Sequence, residues 1–201
     1  MSESSSRILR SCSASFRHGA EERDHASEAA DRTVTLALEI ASAVGWGLVV
    51  AGVGGALTRL DSWYDGLKRP KLQPPDWAFG PAWTVILALA ATSALLAWRN
   101  APDDAARMLV VALFGVNGAL NILWNLLFFT RKRPDHALVE VVFLWLSILA
   151  AVVTFRTFSP VSSWLLAPYL VWVGFASYLN LEIVRLNGPF GARADKTIPR
   201  V

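Results

Sequence analysis

The chain has 201 residues, 54% of them hydrophobic and only 17% charged, with nine tryptophans, one cysteine and a formal net charge of +3. An ordinary soluble domain carries roughly 25% charged residues; here the charges cluster between long uncharged windows, which points to a polytopic membrane protein. The small positive surplus sits mostly in loops and calls for no nucleic-acid partner. The lone Cys12 excludes an intrachain disulfide or Cys-based metal site, and His18, His25 and His136 all lie outside the apolar windows, so no metal is expected.

Residues 1–33 are polar, rich in Ser and charge, and lack an apolar period, so a disordered tail is predicted. Within it Ser2–Arg17 loosely matches an organelle transit peptide. The acids Glu21, Glu22, Asp24, Glu28 and Asp31 follow at once, and an ordinary tail is the better reading. No secretory signal is expected, because the first apolar run starts too late.

Five apolar windows come next, about Leu36–Leu57, Ala78–Trp98, Met108–Thr130, Ala137–Phe155 and Trp164–Ile183. Each is close to the roughly 20 residues that a helix needs to cross the hydrocarbon core. The predicted fold is therefore an all-α integral membrane bundle of five transmembrane helices over 34–187, with 188–201 as a C-terminal tail. Glu39, Glu140 and Glu182 are the charged residues inside the windows, and their places near helix ends predict that they reach the headgroups.

A long ordered loop is expected between the first two helices. Its core, Trp63 to Trp83, combines Trp63, Tyr64, Trp77 and Trp83 with four prolines and the basic Lys68, Arg69 and Lys71. Trp and Tyr pair an apolar body with a polar tip, which suits a membrane–water boundary or a ligand mouth. Five spans put the termini on opposite sides. Eleven Lys and Arg residues fall on the side of the first loop, the third loop and the C-terminus, against eight on the other. The positive-inside bias then predicts a cytoplasmic C-terminus and an N-terminus outside.

Inside the bundle, Asn117, Asn121 and Asn125 share one face of the third helix, beside Trp124. Amides in lipid are costly unless paired, so this face should point inward, either as interhelical glue or as polar recognition of a ligand. Trp172, Ala176 and Asn180 share a face of the fifth helix, and Trp83 and Leu87 one of the second. Aromatic ledges under an aromatic lid would suit a flat apolar ligand, and they would equally suit a Trp-rich core. Gly47, Ala51 and Gly55, and Gly115 with Ala119, are small-xxx-small series that favour close helix contact within the bundle or between protomers. No Ser/His/Asp set, phosphate-cradling loop or paired intramembrane carboxylates stand out.

Three motifs resemble the TspO/MBR family, which includes tryptophan-rich sensory proteins and the translocator protein, or peripheral benzodiazepine receptor. PPDWAFGPAWT, Pro74 to Thr84, is similar to Pro-Pro-x-Trp-x-Phe-Gly-x-x-Trp. NILWNLLFF, Asn121 to Phe129, is similar to Asn-x-x-Trp-x-x-x-Phe-Phe, and Pro168 to Asn187 resembles Pro-Tyr-x-x-Trp-x-x-Phe-Ala-x-x-Leu-Asn. The likeness covers about residues 38–187.

The resemblance implies a homodimeric five-helix bundle in the lipid bilayer. Its pocket under the first loop would bind porphyrins such as protoporphyrin IX, related flat apolar molecules and benzodiazepine-site ligands, with no cofactor. By position the pocket would use Tyr64, Pro74, Trp83, Leu87, Asn121 and Trp124. Leu127, Phe128, Trp172, Ala176 and Leu179 would complete it.

Some positions depart from the pattern. Asn125 and Leu126 stand where many members have proline, which should leave the helix less kinked. Leu181 and Glu182 stand where a cholesterol motif would have tyrosines, which argues against dedicated cholesterol binding and favours a bacterial membrane over the mitochondrial outer membrane. The implied function is a receptor or sensor with sequestration or transport as its output. The alternative is a light- and oxygen-dependent porphyrin-degrading enzyme with Trp83 and Trp172 as redox-active rings. A scaffold whose pocket only stabilises the bundle is a third reading.

Overall fold

The computed structural model describes residues 3–191, and side chains from residue 27 onward together with His25. The chain divides into a unit of residues 1–42 and a unit of residues 43–201. In the first unit the backbone is helical from Glu3, where helix α1 (Glu3–Leu57) begins. The backbone of residues 3 to 33, where the sequence predicts a disordered tail, is thus helical. Its Ala, Glu and Arg residues are fair helix formers, and Arg32 meets Glu28 at 3.5 Å one turn away. That pair is exposed and contributes little.

The second unit is the bundle. After α1, a short helix α2 (Ser62–Asp65) and a 3₁₀ turn, Asp76–Ala78, lie in the connection to α3 (Phe79–Asn100). The expected loop is therefore partly helical. Then come α4 (Asp104–Asn125), α5 (Pro134–Arg156), α6 (Pro160–Leu165) and α7 (Ala167–Asn187). Five helical stretches are long and apolar enough to cross a membrane: Ser27–Leu57, Asp76–Asn100, Asp104–Thr130, Pro134–Arg156 and Pro160–Asn187. The protein is an all-α, multi-pass integral membrane protein.

Local chemistry sets the helix ends. Asp103 caps α4 by accepting from Ala106 N at 2.8 Å. Proline opens α5 and α6, where its missing N–H leaves no unmet donor. The last span is interrupted at Leu166, because Pro168 lacks the N–H that would continue the ladder from α6 into α7. The third span also changes form. Regular helix ends at Asn125, and Leu126–Thr130 is a π-helical turn closed by Arg131 N donating to Leu126 O at 2.8 Å. Asn125 Nδ2 donates to the Asn121 carbonyl at 3.0 Å, competing for the acceptor of its own backbone N–H. The helix is thus irregular here without a proline.

Helix α5 is central and packs chiefly against α4 and α7. Val141, Leu144, Ile148 and Phe155 from α5 meet Phe114 from α4 and Tyr169 and Val173 from α7. Large apolar side chains such as Val85, Val111, Phe143 and Val171 face outward, as a lipid-exposed surface requires. Glu140 corrects the prediction that it reaches the headgroups. It is buried, 6% exposed, on the inward face with Ala137, Val141 and Leu144, and neither carboxyl oxygen has a hydrogen-bond partner.

The tight helix approaches also differ from the small-xxx-small series. Gly55 and Gly115 have open space where a Cβ would stand. The close contacts are at Gly118, where a Cβ would lie 2.8 Å from Trp46 Nε1, and at Gly54, 3.3 Å from Asn125 Nδ2.

Candidate functional site

The segment between α1 and α3 is held at several points. Asp61 caps α2, accepting from Trp63 N at 3.1 Å and Tyr64 N at 3.3 Å. Its other oxygen takes a hydrogen bond from Lys132 Nζ at 2.8 Å, and this bond holds the Asp61 carboxyl below its ordinary value. Lys132 adopts a left-handed backbone, φ +53°, which is strained for a residue with a Cβ. Its ammonium also lies 5.6 Å from the centre of the Trp63 ring.

Farther along, the Asn187 side chain clasps the backbone of Lys68. It accepts from Lys68 N at 2.7 Å and donates to Lys68 O at 3.0 Å. These links bring the first connection, the 131–133 turn and the end of α7 to one end of the bundle.

Tyr64 is buried beneath this roof. Its ring tilts on Phe129 at 5.7 Å, and its hydroxyl donates to Asp76 Oδ1 at 3.1 Å and accepts from Gln73 Nε2 at 3.1 Å. Burial, then the charge of Asp76, push the hydroxyl above the usual phenol range.

Below the roof lies a cavity of about 470 Å³, within the usual range of small-molecule sites. Trp83, Trp124 and Trp172 supply rings to its wall, and Tyr64 and Phe129 close the roof side. Leu87 and Ala176 are also in the wall, and Asn121 and Asn125 supply amides. Trp83 meets Tyr169 edge-on at 6.0 Å, and Trp172 meets Phe79 at 5.8 Å. A second cavity of about 50 Å³ adjoins, lined by Phe128 and Leu179 among others.

Seven of the sequence-predicted residues, Tyr64, Trp83, Leu87, Asn121, Trp124, Trp172 and Ala176, therefore wall the main cavity. Phe128 and Leu179 belong to the smaller one. Pro74 and Leu127 line neither. Pro74 is half-buried in the roof segment, and Leu127 packs with the cluster around Tyr64 and Phe128.

The asparagine face divides by role. Asn117 accepts from the Tyr169 hydroxyl at 3.1 Å and donates to Ser147 Oγ at 2.9 Å, away from the cavity. Asn121 is in the wall and donates to the same hydroxyl at 3.1 Å. Asn125, also in the wall, accepts from Thr58 Oγ1 at 3.0 Å. Asn180 is interhelical glue: with its nitrogen toward α5 it donates to Pro134 O at 3.1 Å and accepts from Leu138 N at 3.0 Å.

Sequence reasoning missed the contribution of α1, which lends Val50, Ala51, Gly54 and Gly55 to the wall. Its glycine run carried the signal but was read only as packing. Asp76 and Phe79 were missed too, although both lie inside the Pro74–Thr84 motif.

The model of the TspO/MBR family matches residues 42–186. Tryptophan-rich protein TspO of Chlorobaculum tepidum is 36% identical over 156 residues, covering 75% of this chain and 96% of that protein. Protein CrtK of Rhodobacter capsulatus is 36% identical over 137 residues, 68% of this chain and 86% of its own length. The human translocator protein is 30% identical over 138 residues, 68% of this chain and 80% of its own. A five-helix bundle with an aromatic cavity under an ordered connection, matched over this length, makes this chain a member of the TspO/MBR family.

Proposed function

We propose that this protein is a membrane receptor or sensor that takes a flat, largely apolar tetrapyrrole such as protoporphyrin IX into the cavity beneath the first connection. Sequestration or transport is the output. The observation that carries this reading is the cavity itself: about 470 Å³, walled by three tryptophan rings, with the two amides of Asn121 and Asn125 as polar points. Ring faces accept a planar ligand with little geometric demand, while a few amides orient it. The names of two relatives, tryptophan-rich sensory protein and translocator protein, support a sensing or carrying role. Benzodiazepine-site ligands suit the same wall.

Protoporphyrin IX should quench tryptophan emission saturably, and Trp172→Phe or Trp83→Phe should weaken its binding. Quenching without saturation would remove the basis of the proposal. A second reading, light- and oxygen-dependent porphyrin degradation, draws on the placing of Trp83 and Trp172 in one cavity wall. It requires a defined product over many turnovers, lost in those two variants while binding persists.

The cytoplasmic side is proposed for the roofed end, because Lys68, Arg69, Lys71, Arg131, Lys132 and Arg133 gather there. A C-terminal reporter active only outside the cytoplasm would overturn it. A bacterial membrane is the proposed host.

A further inference from the structure

The cavity wall holds an unusual charge. Among its described lining residues, Asp76 is the one with a formal charge, and no cation lines the wall. Asp76 Oδ1 accepts from the Tyr64 hydroxyl at 3.1 Å and from Gln73 Nε2 at 3.4 Å. Its Oδ2 accepts from Arg69 at 2.9 Å. Arg69 is not part of the wall; it lies 4.9 Å from the centre of the Tyr64 ring and 3.4 Å from Asp65. Lys68 and Lys71 are exposed on the same segment. The wall thus carries one carboxylate, and the segment that bears it places Lys68, Arg69 and Lys71 just outside the wall, with Arg69 paired to Asp76 and Asp65.

Resting on the reading of the cavity as a tetrapyrrole site, we infer that Asp76 and Arg69 set the charge selectivity of the cavity at its roofed end. Asp76 turns ligand carboxylates away from the wall, and Arg69 is the group that receives them. A guanidinium binds a carboxylate through paired N–H donors. A ligand carboxylate can take those donors only in competition with Asp76, which holds one of them at 2.9 Å, and with the more exposed Asp65, which holds another at 3.4 Å. The wall carboxylate therefore weakens binding of a dicarboxylic tetrapyrrole and has little effect on an uncharged ring of the same shape. If the Arg69–Asp76 pair only stapled the roof, changing it would shift both kinds of ligand alike.

The test uses the full chain in detergent, with protoporphyrin IX and its dimethyl ester as probes, read by tryptophan quenching. Asp76→Asn keeps an oxygen acceptor for Tyr64 and removes the charge. It should tighten the diacid about threefold or more and leave the diester within about twofold. Arg69→Gln should weaken the diacid by a similar factor, again sparing the diester, and added salt should shrink both differences. Diester binding reports in each variant that the cavity is intact. Parallel shifts for diacid and diester, or a weaker diacid in Asp76→Asn, would overturn the inference while leaving the tetrapyrrole site standing. Failure of both probes to quench the wild type saturably would overturn that site and this inference with it.

Discussion

Gly118 in α4 is where a single methyl group should cost most. A Cβ there would stand 2.8 Å from Trp46 Nε1 and 3.1 Å from Val50 Cγ2. The indole is a rigid ring, and its N–H donates to Phe114 O at 2.9 Å while the ring meets Phe114 edge-on at 5.1 Å. It cannot yield without loosening both contacts. Gly118→Ala should therefore lose a hydrogen bond worth about 0.5–1.5 kcal/mol and add overpacking of about 1–3 kcal/mol. Replacing glycine by alanine in a helix returns about 1 kcal/mol. Gly115, one turn earlier in α4, has nothing within 4 Å of its Cβ position, so Gly115→Ala isolates that gain. The difference between the variants should be about 1.5–4.5 kcal/mol, with Gly118→Ala the less stable. Thermal unfolding in detergent, followed by near-UV circular dichroism, measures it. Agreement of the two variants within about 0.5 kcal/mol would refute the reasoning from packing.

The clasp on Lys68 should be visible to trypsin: Asn187→Ala removes both hydrogen bonds to that backbone, and cleavage after Lys68 should speed several-fold without loss of the bundle. Tyr169→Phe leaves Asn117 and Asn121 without their shared partner in the interior and should cost about 1–3 kcal/mol per unmet group in unfolding assays, with weaker porphyrin quenching because Asn121 loses its anchor. The Asp61–Lys132 link should depend on acid. Asp61 titrates below its ordinary value of 3.8 in the folded protein, so its contribution is present above that value and lost as pH falls through the lowered one. Proteolysis of the first connection should rise in that acid range in the wild type, and Asp61→Asn should remove the dependence.

The spans were legible because an apolar stretch of about 20 residues has few alternatives. The inward asparagine face was legible for a related reason, since unpaired amides are excluded from lipid. What separated Asn117 from Asn121 was not in their spacing: one meets Ser147 on α5, the other the cavity, and that depends on how three helices cross. The share of α1 in the wall was hidden for the same reason, because a glycine leaves space without saying what fills it. Glu140 was misjudged from its distance to a helix end; its azimuth on the inward face of α5 decided its burial. Asp76 sat in plain view within a motif, yet its place in the wall follows from its bond to Tyr64, twelve residues earlier.

The π-helical turn at Leu126–Thr130 has a consequence best put in terms of insertion and deletion. A π-turn fits one residue more into a loop of backbone than an α-turn does. Everything after it is re-phased around the axis, as if a single codon had been slipped into a regular helix. Phe128 and Phe129, consecutive in sequence, thereby both face the interior, their rings 4.8 Å apart. One meets Trp124 and the other Tyr64. Lys132, beyond the turn, arrives at Asp61. Removing one residue from this turn would restore ordinary helix and rotate Phe128, Phe129 and Lys132 away from their present partners together. The length of this segment is thus as strict a requirement of the site as the identity of any of its rings.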